Sequence, residues 1–120
     1  MGTILIDPAN PDRLVAPDMS QGLVSSADAG RTWRPLGGPS GAMAVTWNPA
    51  DTRQIIVVGM NGSARSSDGG ATWQDVRVPA GTSAVTFDSA GRAAYTAALD
   101  GDRATVYHSA DGGATWTPTI

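Results

Sequence analysis

Several residue types that structural and catalytic sites commonly use are missing from this sequence. Its 120 residues contain no cysteine, which excludes disulfide bonds and thiolate metal ligands. They also contain no lysine and no glutamate, since all eight cationic side chains are arginine and all eleven acidic ones are aspartate. Surface helices built on Glu–Lys pairs are therefore excluded. The polar residues that remain are mainly turn formers, so the composition predicts short strands joined by tight loops.

Excess positive charge and long apolar runs are absent as well. The formal net charge is −3, which argues against a nucleic-acid-binding face. No stretch approaches the roughly 20 apolar residues of a membrane-spanning helix. The first residues, 1–11, lack the basic and apolar regions of a signal peptide. We therefore expect a soluble chain, compatible with a secreted bacterial protein whose signal peptide has been removed, although no compartment is indicated.

The sequence contains an internal repeat. An eight-residue phrase occurs at Ser26–Trp33, Ser66–Trp73 and Ser109–Trp116, with its aspartates 40 and 43 residues apart. The flanking sequences also correspond, because each repeat has an apolar run that ends in Asp or Asn, a polar turn and a second apolar run. Repeats at a fixed period indicate a repeat architecture. We place the three units at about 1–40, 41–79 and 80–120.

Each unit is predicted to contain four strands. In the second unit we place them at Met43–Trp47, Gln54–Gly59, Ser63–Ser66 and Thr72–Val78. Short strands bounded by Gly, Asn, Asp and Pro are typical of all-β proteins. Four strands in a repeat of roughly 40–45 residues are typical of a β-propeller blade. The predicted fold is therefore all-β, with three four-stranded antiparallel blades in the chain.

The repeated phrase has the form Ser-x-Asp-x-Gly-x-Thr-Trp. It resembles the Asp-box, or BNR (bacterial neuraminidase) repeat, of sialidases and sortilin-type receptors, and all three copies match at every specified position. The resemblance covers the whole chain as blades, but it identifies a repeat and not one enzyme. It implies that the box is structural and lies away from the ligand-binding face. The residues concerned are Ser26, Asp28, Gly30, Thr32, Trp33, Ser66, Asp68, Gly70, Thr72, Trp73, Ser109, Asp111, Gly113, Thr115 and Trp116.

Each residue type of the box suits a tight turn between the third and fourth strands. The aspartate can accept hydrogen bonds from nearby N–H groups, and the glycine tolerates positive φ. We expect the threonine to begin the fourth strand and the tryptophan to anchor the turn on the blade body. The spacing lacks the Asp-x-Asp-x-Asp series of a calcium loop, so we expect no metal ion and no cofactor.

A ligand-binding face is expected at the opposite end of the blades, as the family precedent implies. The loops predicted there are Asp18–Gly22, Met60–Ser63 and Leu99–Thr105, with the links Pro35–Ala42 and Val78–Ser83. The third repeat is three residues longer, and the extra length falls in Leu99–Thr105; such insertions often carry specificity. Asp100, Asp102 and Arg103 are therefore the candidate ligand-face residues, with a solvated hairpin tip as the alternative.

No catalytic set emerges from the sequence. The sialidases that the repeat resembles use an arginine cluster, a tyrosine paired with a glutamate and an acid/base aspartate, yet this chain has no glutamate. Tyr95 and Tyr107 fall within predicted strands and are interpreted as packing residues. The single histidine, His108, lacks visible partners. Trp47 is interpreted as blade core, with sugar stacking as the alternative. We assign no catalytic residue and lean towards a protein that is not an enzyme.

Three blades are too few for a closed ring, since propellers typically have about 4–8. An open set leaves two apolar blade faces bare, and monomers rarely tolerate large exposed apolar patches. The predicted partner is therefore the protein itself, in a two-fold homodimer that closes a six-bladed ring. A nine-bladed ring of three chains, a swapped assembly, and a chain excised or engineered from a larger propeller are the alternatives.

Three functions remain open at this point. The first is a non-catalytic, self-assembling scaffold or binding module. The second is a sialidase-like or other glycoside hydrolase, or a carbohydrate-binding propeller, with a pocket on the ring axis. The third is a propeller that docks another protein during complex assembly. A carbohydrate or protein is thus the alternative ligand, whereas nucleic acid and a membrane span are not expected.

Overall fold

The computed structural model describes residues 4–18, 22–39, 41–59, 62–79, 82–100 and 102–119. Their regular structure is entirely β-strand, arranged as three four-stranded sheets in which consecutive strands are antiparallel neighbours. The predicted all-β class and four-stranded blades are confirmed. No helix that is long and apolar enough to cross a membrane occurs in these ranges.

The three blades follow one another along the chain. Blade 1 contains β1 (Leu5–Asp7), β2 (Asn10–Asp18), β3 (Gly22–Ser26) and β4 (Arg34–Gly37). Blade 2 contains β5 (Ala42–Asn48), β6 (Asp51–Gly59), β7 (Gly62–Ser66) and β8 (Gln74–Val76). Blade 3 contains β9 (Thr82–Phe87), β10 (Ala94–Asp100), β11 (Arg103–Ser109) and β12 (Thr117–Pro118).

The fourth strand of blade 2 is shorter than the sequence predicted. It spans Gln74–Val76, whereas the prediction placed it at Thr72–Val78. The expectation that the box threonine begins this strand is wrong. The backbone N–H of Thr72 donates to the Asp68 carboxylate and not to a neighbouring strand. Residues that complete the box turn are therefore unavailable for strand pairing, and β8 begins after Trp73.

Blade 2 is covered on both faces by its neighbours. Successive side chains of a strand point to opposite faces, so a strand covered on both sides needs a continuous apolar run. The run Ile55–Val58 of β6 meets this need, and all four side chains are fully buried. Ile55 and Val57 belong to the core shared with blade 1. Ile56 lies on the other face, next to Gly113 of blade 3.

The contact between blades 1 and 2 has an apolar centre and a charged edge. Val15 and Leu23 of blade 1 share a buried cluster with Trp47 of blade 2. At the edge, the guanidinium of Arg13 lies 4.7 Å from the centroid of the Trp47 ring, and its Nη1 is 3.3 Å from Oδ2 of Asp7. The cation therefore contacts an aromatic face and a carboxylate together.

The outer faces of blades 1 and 3 have no neighbouring blade within the described residues. Ile6 pairs with Leu14 in β1–β2 as Trp47 pairs with Ile55 in β5–β6, yet Ile6 is 59% exposed and Trp47 only 7%. We call the surface formed by Ile4, Ile6, Leu14, Ala16 and Val24 the first open face. We call the surface formed by Tyr95, Ala97, Leu99 and Val106 on blade 3 the second open face.

Candidate functional site

The box is a clasp made of side chain–backbone hydrogen bonds. In blade 2, Ser66 Oγ donates to Asp68 Oδ1 over 2.7 Å and accepts from the Gly70 N–H over 2.9 Å. Asp68 Oδ1 also accepts from the Thr72 N–H (2.9 Å), and its Oδ2 accepts from the Thr72 hydroxyl (2.6 Å). The boxes that start at Ser26 and Ser109 repeat these bonds with the same partner types.

Backbone geometry explains the glycine of the clasp. Gly70 has φ of 97°, a conformation that favours a residue without Cβ. A Cβ at Gly70 would also lie 2.7 Å from Cγ of Leu36 on blade 1, so the glycine permits close contact between blades. The preceding position is glycine in the second and third boxes but Ala29 in the first, where φ is 62°. The first clasp therefore holds an alanine in a left-handed conformation.

The clasp stabilises the charged form of each box aspartate. The pKa of Asp68 is lowered from 3.8 to about 2, chiefly by the hydrogen bond from the Thr72 hydroxyl. The pKa of Asp28 is lowered to about 2 in the same way by Thr32. For Asp111, where the pKa is also lowered to about 2, the largest cause is the Ser109 hydroxyl. A carboxyl with this pKa is a poor general acid or base near neutral pH.

The free energy of unfolding is therefore expected to decrease on acidification, over the pH range that these pKa values set. Each box aspartate has a lowered pKa in the fold, so its contribution is complete above the unfolded value of 3.8 and is lost as pH falls through about 2. Asp68→Asn removes one of these titrations. We expect it to be less stable than the wild type at pH 7 and to depend less steeply on pH between about 4 and 2 in urea unfolding. Asp75→Asn, on β8 outside the clasp, is the control. An equally steep profile for Asp68→Asn would contradict the clasp.

The box tryptophans make different contacts in the three blades. The Trp73 indole N–H donates to the Leu36 carbonyl of blade 1 over 3.4 Å. Trp33 is 40% exposed, and its N–H donates to the Gly30 carbonyl of its own box over 3.1 Å. The buried indole nitrogen of Trp116 has no hydrogen-bond partner within the described residues. In blade 2 the box tryptophan therefore anchors the turn on the preceding blade.

The candidate ligand-face residues lie at a hairpin tip. Asp100 and Arg103 are opposite each other in the strand register at the end of β10–β11. Asp102 and Arg103 are exposed. No salt bridge joins Asp102 or Arg103 to another side chain of the described ranges. The side chain of Asp100 lies outside the described part of the structure, as do residues 19–21, 60, 61 and 101 of the predicted loops. A ligand role for this tip stays a prediction.

The other residues that the sequence singled out occupy strand positions. Trp47 lies in the core between blades 1 and 2. Tyr95 is 37% exposed on the second open face, and Tyr107 is half-buried on β11. His108 is also half-buried on β11, with Nε2 3.5 Å from the Thr117 hydroxyl. Within the described ranges no three His, Asp or Glu side chains come together as metal ligands.

A polar cleft that the sequence did not predict opens on the box side, between blades 2 and 3. Its volume is about 310 Å³, and its lining includes Asn48, Gln54, Arg65, Arg92 and Asp111. These residues come from two repeats, so no single motif indicated the cleft. One signal was present, because Asn48 ends the first strand of its repeat where the other two repeats have aspartate.

Two hydrogen bonds cross between the blades at this cleft. The Asn48 amide nitrogen donates to the Gly91 carbonyl over 3.0 Å, and its oxygen accepts from the Ala50 N–H over 2.9 Å. Arg65 Nη1 donates to the Asp111 carbonyl over 3.0 Å. The cleft is therefore bordered by polar groups whose positions are fixed by both blades. We call it the box-side cleft.

The blade architecture and the three clasps agree with comparison to known families. Residues 107–118 match the family model described as BNR/Asp-box repeat. The first two boxes, which lie outside this match, have the same hydrogen-bond pattern as the third. The fold and the clasps thus define a β-propeller chain with BNR/Asp-box repeats. No protein of curated function matches the sequence.

Solved structures share this fold at low sequence identity. A GH74 enzyme of Niastella koreensis aligns with a TM-score of 0.80 and 23% identity over 98% of this chain and 21% of its own. YCF48 from Cyanidioschyzon merolae aligns at 0.74 and 20% identity, over 98% of this chain and 36% of its own. A chain of a nidogen/laminin complex aligns at 0.79 and 10% identity, over 100% and 47%. This chain therefore spans less than half the length of these propellers.

Proposed function

We propose that the chain is a non-catalytic propeller module that assembles through its two open blade faces, and that a second copy covers them in a six-bladed ring. The observation that carries the proposal is the difference in burial between equivalent positions. Side chains that a neighbouring blade buries in blade 2 are exposed where blades 1 and 3 have no neighbour.

The first open face has the form of a surface that normally receives a preceding blade. Ile4 is 55% exposed, whereas Val45 at the equivalent position of blade 2 is 4% exposed. Trp33, 40% exposed, borders the same face and lines an apolar groove of about 380 Å³ with Ile4 and Val24. In blade 2 the equivalent Trp73 packs against the core cluster. The first open face is therefore suited to pack against another blade in the way that blade 2 packs against blade 1.

The second open face has the complementary form. Tyr95 is 37% exposed, whereas Ile56 at the equivalent position of blade 2 is fully buried. Val106 is 44% exposed, whereas Leu23 at the equivalent position of blade 1 is fully buried. Because these equivalents contact a following blade, the second open face is suited to the first open face of another copy. The contact is head to tail. Two identical contacts of this kind form a closed ring when a rotation of half a turn relates the two chains.

The non-catalytic part of the proposal is supported by what the acidic groups do. Asp28, Asp68 and Asp111 use their carboxylate oxygens as acceptors within the clasps, and their pKa values of about 2 suit permanent charge rather than proton transfer. The absence of glutamate leaves aspartate as the only acidic side chain type in the chain.

Assembly is tested by the mass of the folded protein at micromolar concentration, measured by sedimentation and native mass spectrometry. We expect two chains. A folded single chain, or three chains, would overturn the six-bladed ring. Ile6→Asp on the first open face and Val106→Asp on the second should each give a folded monomer, because a charge is then buried in every contact. Ser89→Asp, at an exposed turn, is the control with the same added charge and should remain a dimer.

Mixing the two variants tests the head-to-tail geometry. Ile6→Asp retains an intact second open face, and Val106→Asp retains an intact first open face. An equimolar mixture should therefore form a mixed dimer through one intact contact, while each variant alone stays monomeric. If like faces paired, one of the two variants would still dimerise by itself, and this result would contradict the geometry.

A further inference from the structure

We propose that the box-side cleft is a binding site for a small oxyanion, a carboxylate or a phosphate group held between Arg65 and Arg92. The site lies within a single chain, on the side of the blades opposite to the tip that carries Asp102 and Arg103. Its test is therefore independent of ring assembly.

The hydrogen bonds that position Arg65 go to neutral acceptors, so they do not pair its guanidinium charge with a carboxylate. Its Nη1 donates to the Asp111 carbonyl over 3.0 Å, and its Nε donates to Gln74 Oε1 over 3.3 Å. No carboxylate of the described residues forms a salt bridge with it, in contrast to Arg13 and Arg53. An arginine offers five N–H donors in a rigid plane that matches carboxylate and phosphate. The donors that remain free on Arg65 are already oriented.

Arg92 brings a second cation to the same cleft. It follows Gly91 in the turn between β9 and β10, where its backbone N–H donates to Asp88 Oδ1 over 2.9 Å. Its exposed side chain makes no hydrogen bond or salt bridge to any other described residue, yet it lines the cleft with Arg65. Two guanidinium groups at the wall of one cleft offer hydrogen-bond donors that match a carboxylate or phosphate.

The carboxylate of Asp111, which lines the cleft, forms no salt bridge with Arg65 or Arg92. Asp111 presents its backbone carbonyl to Arg65. Its carboxylate oxygens accept from Ser109 Oγ over 2.6 Å and from the Thr115 hydroxyl over 2.6 Å, within the clasp. The carboxylate is thus committed to the turn, and an incoming anion would meet the guanidinium groups.

The volume of the box-side cleft suits a small acid. Its volume of about 310 Å³ is at the lower end of the range for small-molecule sites. Gly112 borders it, and a Cβ at that position would lie 3.1 Å from Arg65 Nη1. The backbone of the third clasp therefore approaches the arginine closely without a side chain to block it. Asn48 and Gln54 add amide groups to the wall.

The test is a titration of the wild-type protein followed by NMR, including the arginine Nε–H signals, at constant ionic strength. The probes are inorganic phosphate, glucuronate and, as the neutral counterpart of glucuronate, glucose. We expect saturable shifts of the Arg65 signal with an anionic probe and none with glucose. Comparison of phosphate with glucuronate identifies which oxyanion is preferred. Saturation by neither, or equal shifts with glucose, would overturn the site.

Arginine variants place the binding in the cleft. Arg92→Gln removes an exposed side chain without intramolecular bonds, so it should fold normally and weaken binding about tenfold, the effect of one charge-assisted hydrogen bond. Arg65→Gln should weaken it at least as much. Arg53→Gln, in a surface pair with Asp51, and Arg103→Gln, at the opposite tip, are matched controls that should bind normally. Normal binding by Arg92→Gln, or loss with Arg103→Gln, would contradict the assignment.

Discussion

Replacing Trp47 by alanine is expected to lower the free energy of unfolding by about 3–5 kcal/mol, the usual cost of removing a buried large aromatic side chain. Trp47 is 7% exposed and packs in the cluster that joins blades 1 and 2. Its loss leaves a cavity between two sheets, and the Arg13 guanidinium loses the ring that it covers at 4.7 Å. Urea unfolding followed by far-ultraviolet circular dichroism measures the change.

Ile6→Ala is the matched control for this substitution. Ile6 occupies the equivalent strand position in blade 1 but is 59% exposed. In a dilute, monomeric sample its substitution should cost less than about 0.5 kcal/mol, as is usual at exposed sites. If the ring forms, the cost should rise with protein concentration, because the partner then buries this position. A cost below about 1 kcal/mol for Trp47→Ala would contradict a core role.

Replacing Gly91 by alanine is expected to lower the free energy of unfolding by about 2–5 kcal/mol. Gly91 has φ of 73°, and a Cβ there would overlap the amide oxygen of Asn48. The left-handed conformation costs about 1–2 kcal/mol for alanine. Displacing Asn48 from its bonds to Ala50 and Gly91 adds about 1–3 kcal/mol, since Asn48 is buried and its polar atoms lose their partners.

Gly69→Ala separates the two contributions. Gly69 has a similar φ of 77°, but a Cβ there would have no atom within 4 Å. Its substitution should therefore cost only the conformational part, about 1–2 kcal/mol. In a double-mutant cycle, Asn48→Ala and Gly91→Ala together should destabilise the protein by less than the sum of the single substitutions. Additive effects would show that the clash with Asn48 is not the cause.

The box side of the blades carries both the clasps and the box-side cleft. From the sequence, the boxes on this side were predicted to be structural. The hydrogen bonds of Ser66 and Asp68 agree with a turn that is closed by its own side chains. The same turns, however, form the boundary between blades. Trp73 reaches the preceding blade through the Leu36 carbonyl, and Arg65 reaches the third clasp through the Asp111 carbonyl. The contact between blades 2 and 3 brings Arg65 and Arg92 to the box-side cleft, which we propose as a binding site.

Strand number and turn chemistry were predictable because they depend on neighbours in sequence. The clasp bonds join residues two or four positions apart, so the order Ser, Asp, Gly and Thr is sufficient to specify them. Strand ends were less predictable, as the late start of β8 shows. There the clasp competed with strand pairing for the backbone of Thr72, and the hydrogen bonds to Asp68 prevailed.

By itself, the sequence determined three blades of four strands, each closed by an Asp-box clasp, because the repeat period and the local hydrogen-bonding groups specify these features. Only the tertiary structure decided which contacts join the blades. The bond from Asn48 to Gly91 connects residues 43 positions apart, and that from Arg65 to Asp111 connects residues 46 apart. No local pattern encodes such pairs, because they arise only when two finished sheets pack face to face. The box-side cleft is a consequence of that packing.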